Sequence, residues 1–160
     1  MKKIYLLLTL LLISRLTQAG FDPSARGGRS AGMAFNSATA TDFWGVFNNQ
    51  ASMAWDSKLS AGVFFENKFF VSEMNTRGFG LTLPATKHDA FGLTFSQYGY
   101  SAYNETKVGL SYAKAFADKV AAGIQFDYLR TASSLENGSQ GVFTFEFGLQ
   151  SKVSRKMTIG

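Results

Sequence analysis

A four-residue motif recurs along most of this chain and limits what it can fold into. Glycine, an apolar residue, a variable residue and an aromatic or aliphatic residue follow one another. They do so at Gly62-Val63-Phe64-Phe65, Gly80-Leu81-Thr82-Leu83, Gly92-Leu93-Thr94-Phe95, Gly109-Leu110-Ser111-Tyr112 and Gly123-Ile124-Gln125-Phe126. Gly148-Leu149-Gln150 continues the series, and Gly160 opens its next member. Successive glycines are 18, 12, 17, 14, 25 and 12 residues apart, long and short in strict alternation. An up-and-down antiparallel meander produces this rhythm. Short intervals cross tight turns at one end of the sheet, and long intervals cross larger loops at the other. Transmembrane β-barrels of the outer-membrane type carry that asymmetry. The spacing predicts short turns at Pro84 to Asp89, Phe116 to Lys119 and Ser154 to Lys156. Long loops are expected near 66–76, 97–105 and 130–141, the last marked by the turn signal Asn137-Gly138.

Within the segments the side chains alternate with period two. One face collects Leu59, Ala61, Val63 and Phe65, then Phe79, Leu81 and Leu83, then Phe91, Leu93 and Phe95. It continues through Val108, Leu110 and Tyr112, Val120 to Tyr128 in steps of two, and Phe143 to Leu149 likewise. The other face collects Gly, Ser, Thr and a few charges: Thr82, Thr94, Ser111, Gln125, Asp127, Glu146 and Gln150 among them. A secreted β-sandwich also alternates, but its outer face is expected to be rich in Lys, Glu and Asp. Here charged residues are only 17% of the chain, against about 25% in ordinary soluble domains. Strand charges fall mainly on the polar face, as expected when a Lys or Arg at a lipid midplane costs about 2–4 kcal/mol. The fold expected is all-β: an up-and-down antiparallel transmembrane β-barrel over 58–160. The alternative is a secreted soluble β-rich binding or adhesion module.

The first residues read as an export signal: Lys2-Lys3, the apolar run Ile4 to Ile13, and Thr17-Gln18-Ala19 as a small-residue cleavage site. Ten residues, nine of them apolar, are too few for a membrane-spanning helix. Losing residues 1–19 removes Lys2, Lys3 and Arg15 from the sixteen basic residues. Thirteen then face eleven acidic ones, a net +2 rather than +5. That carries no nucleic-acid footprint. There is no Cys and one His, His88, set in a predicted turn beside Asp89 with no Ser nearby. Disulfides, thiolate metal sites, a cysteine nucleophile and a histidine-based triad are all excluded or disfavoured. No enzyme activity, cofactor or metal is expected.

Between the signal and the repeats, residues 20–57 are rich in Gly, Ala, Ser, Asn and Asp. They include Ala25-Arg26-Gly27-Gly28-Arg29-Ser30-Ala31-Gly32-Met33, then Ala38, Ala40, Asp42 and Phe43-Trp44, then Asn48 to Ala54. This resembles the start of outer-membrane barrels of the fatty-acid-transporter superfamily, especially the PorV/PorQ-like branch of Bacteroidetes. Those carry an Asn-Pro-Ala-Gly-Leu-Ala-like box where this chain has Asn49-Gln50-Ala51-Ser52-Met53-Ala54. Gln50 stands for Pro, Ser52 for Gly and Met53 for Leu. Ser111 to Phe116 and Gly123 to Leu129 also look like that branch. The resemblance covers most of residues 25–160. It implies a bacterial outer-membrane location and an N-terminal plug or hatch inside the barrel, with Asn49, Gln50, Ala51 and Ala54 as its motif. It also implies passive transport or binding of hydrophobic molecules, or a scaffold role in type IX secretion. The partners implied are outer-membrane lipid, hydrophobic small molecules or secretion-machinery proteins. Short polar and small side chains suit a segment packed against a lumen wall, and Asn48 to Trp55 is expected to form a short helix.

Two clusters stand out as candidate sites. Lys107, Gln125 and Glu146 each sit two residues to the long-loop side of a repeat glycine, with Asp127 one inward-facing step higher. Glycine register puts them near one height, as a polar ladder that lines a passage, holds a plug or simply pairs charges in the wall. The loop ends are aromatic: Phe64, Phe65, Phe69 and Phe70 in the first, Tyr98, Tyr100 and Tyr103 in the second. They fit a hydrophobic ligand patch or an interfacial aromatic girdle. Six full strands and a seventh beginning at Met157 are expected, fewer than the eight of the smallest single-chain barrels. The chain therefore reads as the N-terminal part of a longer barrel.

Overall fold

The computed structural model describes residues 21, 26–117, 119–134, 138–154 and 157–160. The export signal at 1–19, Ala25, Asn137 and the turn at 155–156 lie outside the described residues. Seven antiparallel strands form one sheet in sequence order. They are β1 (Ser60–Asn67), β2 (Asn75–Pro84), β3 (Asp89–Gly99), β4 (Tyr103–Phe116), β5 (Val120–Ser133), β6 (Gly138–Ser154) and β7 (Met157–Ile159). The sheet curls into a half-barrel, and no helix among the described residues is long and apolar enough to cross a membrane.

The meander and its alternation are as the repeat predicts, and the register proves the two faces. Val63 stands opposite Phe79, Phe79 opposite Phe95, and Phe95 opposite Val108. Val108 then meets Tyr128, and Tyr128 meets Phe143. The apolar set thus runs unbroken across six strands with no slip of one residue, which would have thrown every side chain to the other face. Rings pair along it: Phe79 with Phe95 at 5.9 Å, Phe91 with Tyr112 at 5.3 Å, Tyr128 with Phe143 at 5.0 Å.

The long loops are shorter than the spacing suggests, and the expected contrast between the two ends is mostly lost: seven, three and four residues join the strands at one end and four, three and two at the other. Strands extend to Asn67, Gly99 and Ser133, and resume at Asn75, Tyr103 and Gly138. Backbone pairing continues past the apolar belt because polar residues such as Asn67 and Asn75 still exchange ladder hydrogen bonds. Phe64 and Phe65 are therefore strand residues on opposite faces, not loop residues. Phe65 is exposed, whereas Phe64 points inward against Phe47 and Trp44 at 5.4 and 6.2 Å.

The N-terminal segment lies on the polar face. It contains helix α1 (Gly28–Gly32), helix α2 (Gly45–Asn48) and a 3-10 helix, η1 (Gln50–Trp55). The expected helix is thus two pieces broken at Asn49, whose extended backbone (φ −158°, ψ 101°) ends α2 and whose side chain caps η1 by accepting from the Ala51 amide. Helices this short have no stability of their own. η1 is held by β3, β4, β5 and β6 beneath it. The buried apolar cluster sits in that seam: Val46, Ala51, Met53 and Ala54 from the segment, Ala90, Ala113, Ala115 and Ala121 from the sheet.

Candidate functional site: the inner polar face

The repeat glycines acquire their meaning here. A Cβ added to Gly62 would lie 2.5 Å from the Phe43 ring, and one on Gly80 would lie 2.7 Å from Phe47. On Gly92 it would meet Met53 Sδ at 2.7 Å, and on Gly123 the Ala51 amide at 2.6 Å. On Gly148 it would run into Asn49 Oδ1. Five repeat glycines on five strands are the floor on which residues 43–53 rest: at Gly62, Gly80, Gly92 and Gly148 side chains of the segment come closest, and at Gly123 its backbone does. Gly123→Val is accordingly expected to cost about 1–3 kcal/mol, as overpacking does, and to loosen residues 45–55. Limited proteolysis of that segment checks it. Gly28→Ala, in open space, serves as the control and is expected to leave cleavage unchanged.

Each residue of the Asn49 motif has a defined place. Asn49 Nδ2 donates to the carbonyls of Ala38 at 2.7 Å and Leu149 at 3.1 Å, so it ties the segment to β6. Ala51 and Ala54 are buried in the seam. Gln50 Nε2 donates to Glu146 Oε2 at 3.0 Å, which joins the motif to the polar ladder.

The ladder itself comes together, with one correction. Gln125 and Glu146 are directly opposed, as are Gly123 and Gly148. Lys107 is not level with them. Gly109 faces Asp127 rather than Gly123, and Lys107 stands opposite Leu129, because the stagger between β4 and β5 shifts β4 by four residues. A long side chain closes the gap. Lys107 Nζ lies 3.4 Å from Asp127 Oδ2 and also donates to Glu146 Oε1. Gln125 Nε2 donates to Asp127 Oδ1 at 2.9 Å. The Asp127 side chain is fully buried, so the lysine supplies the countercharge its burial requires.

Several contributors were not singled out in the sequence. Gln150, fully buried, accepts from Trp55 Nε1 at 3.0 Å and donates to the carbonyls of Ala38 and Ala40 at 2.8 and 3.1 Å. Lys152 Nζ sits 3.6 Å above the Trp55 ring. At the other end, Asn48 exchanges hydrogen bonds with the Arg26 backbone, and the Arg26 guanidinium pairs with Glu66 at 3.2 Å over the Phe64 ring. The signal for Gln150 was its place on the polar face two residues from Gly148. Its partners 95 to 112 residues away left no trace in local spacing.

The aromatic loop residues do not form one patch. Phe69 and Phe70 occupy the β1–β2 tip, each with left-handed φ (58° and 56°) and almost wholly exposed. Tyr98 and Tyr103 are strand residues of β3 and β4 on the inner face, and Tyr100 lies in the turn between them. Tyr103 Oη donates to Glu105 at 2.6 Å. No ring contact joins the two groups among the described residues. Comparison with protein-family models, with curated proteins and with solved structures found no match to this chain.

Proposed function

We propose that this chain forms part of the wall of a bacterial outer-membrane β-barrel, with residues 26–57 as a plug against its lumen side. One observation carries the reading: burial is inverted. The largest fully buried side chains are Gln125, Gln150, Val46, Asp127, Ser52 and Ser111. Phe143, Phe145 and Phe147 are 82%, 69% and 68% exposed, and Val63 and Phe65 join them on the same face. A water-soluble fold would have to leave this continuous apolar face wet, far beyond the patches that soluble monomers expose.

The height of that face suits a bilayer. On β3 its lower limit is Asp89, which binds Lys114 and Tyr112, and its upper limit is Gln97, which binds Arg77. These limits are eight positions apart. That is about 27 Å along a strand, and about 21 Å of height at the usual barrel tilt, close to the ~25 Å apolar band of such barrels. In lipid the outermost strands of a half-barrel need hydrogen-bond partners, so the reading requires further strands beside β1 and β7.

The activity proposed is passive movement of hydrophobic molecules through a lumen that the plug occludes. The expected result is that the processed chain stays with membranes through an alkaline wash and leaves them only in detergent. Release as a compact monomer in plain buffer would overturn the proposal in favour of a secreted soluble module. Mass spectrometry of material purified in mild detergent then separates two roles. Co-purified lipid-like molecules support transport, whereas stoichiometric secretion proteins would replace it with the scaffold role.

A further inference from the structure

At the long-loop end of β5 and β6 an open pocket of about 380 Å³ is lined by Ser101, Arg130, Ser133, Ser134 and Ser139, with Ala132 and Gly138. Register places Arg130 on the apolar face, opposite Gly141 and two residues beyond the Tyr128–Phe143 ring pair. Opposite it, Gly141 carries no side chain and is covered by the Tyr128 ring, which packs beside the Arg130 stem. Arg130 is exposed, and no hydrogen bond or ion pair joins its side chain to another described residue. Other cations of the sheet are engaged: Arg77 with Gln97, Lys114 with Asp89, and Lys107 with Asp127 and Glu146.

We propose that this pocket binds the phosphate of a phosphorylated lipid in the adjoining membrane leaflet. The inference rests on the membrane-barrel reading above. A guanidinium presents paired N–H donors to a phosphate, and Ser139, on the same face opposite Ala132, adds a hydroxyl; the Ser134 hydroxyl is already donated to the Ser101 carbonyl. The pocket borders the apolar belt, so a ligand held there by its phosphate lays its acyl chains along Tyr128 and Phe143. A free anion would gain nothing from that neighbourhood. The occupant is therefore a lipid with a phosphate in its head group.

Detergent-solubilised protein is titrated with phosphatidic acid and, in parallel, with diacylglycerol of the same chains, and binding is read by native mass spectrometry. The wild type is expected to prefer phosphatidic acid. Arg130→Gln is expected to weaken that binding about tenfold, the scale of one lost charge-assisted contact. Arg77→Gln, three strands away, is expected to leave it unchanged. Equal loss in both variants would reduce the pocket to diffuse charge, and no loss in Arg130→Gln would remove it altogether. Displacement of the lipid by millimolar inorganic phosphate would make it a free-anion site and overturn the lipid assignment. An alkaline-wash assay on the same proteins keeps the two readings apart. Membrane retention without phosphate preference defeats only the pocket, whereas loss of retention in the wild type defeats the barrel reading beneath it.

Discussion

Phe126→Lys is expected to lower the stability of vesicle-inserted protein by about 2–4 kcal/mol, the cost of a lysine near the bilayer midplane. Phe126 is 62% exposed and stands between Leu110 and Phe145 in the middle of the apolar face. In a water-soluble protein an exposed Phe replaced by Lys changes stability by only about 0.5 kcal/mol in either direction. The two environments therefore predict different outcomes for one substitution. Phe116→Lys, 51% exposed and two residues past Lys114 at the lower edge of the belt, is expected to cost about 0–1 kcal/mol, since the penalty fades toward the interface. Denaturant titration of both variants in vesicles measures the depth dependence. Equal, small effects at both positions would remove lipid from the account.

Lys107→Met is expected to cost about 3 kcal/mol, because it leaves the buried Asp127 carboxylate without its countercharge. The loss arises mainly at Asp127, whose side chain is 0% exposed; Glu146, at 41%, recovers part of its hydration. The triple variant Lys107→Met, Asp127→Asn, Glu146→Gln buries no charge and is expected to regain most of the loss. The three sites touch, so their effects do not add. The same denaturant titration checks this. Destabilisation of the triple variant equal to the sum of the single changes would mean that the cluster is not a coupled network. Protease sensitivity of residues 45–55 gives a second readout, since Gln50 anchors the segment to Glu146.

Much of the sheet was legible because alternation and turn spacing are local properties. Val63, Phe79, Phe95, Val108, Tyr128 and Phe143 were placed on one face by sequence parity, and each is indeed opposed to the next across the sheet. The seventh strand at Met157 was likewise visible. The ladder was legible between β5 and β6, where glycine register holds. It failed at Lys107, because stagger between neighbouring strands is set by closure of the curved sheet rather than by either strand's own pattern. Phe64 was misplaced for a related reason: a repeat that places aromatic residues on both faces cannot say which one meets the N-terminal segment.

The sequence alone determined the meander and the segregation of apolar from polar side chains, since each follows from a period of two and the intervals between glycines. Only the tertiary structure decided why those glycines are there. Residues 43–53 lie against Gly62, Gly80, Gly92, Gly123 and Gly148, and Gln150 reaches Trp55, Ala38 and Ala40 across the same surface. These are contacts between a segment and five strands remote from it in the chain. No local periodicity encodes them, because the shape they match exists only after the sheet has curled.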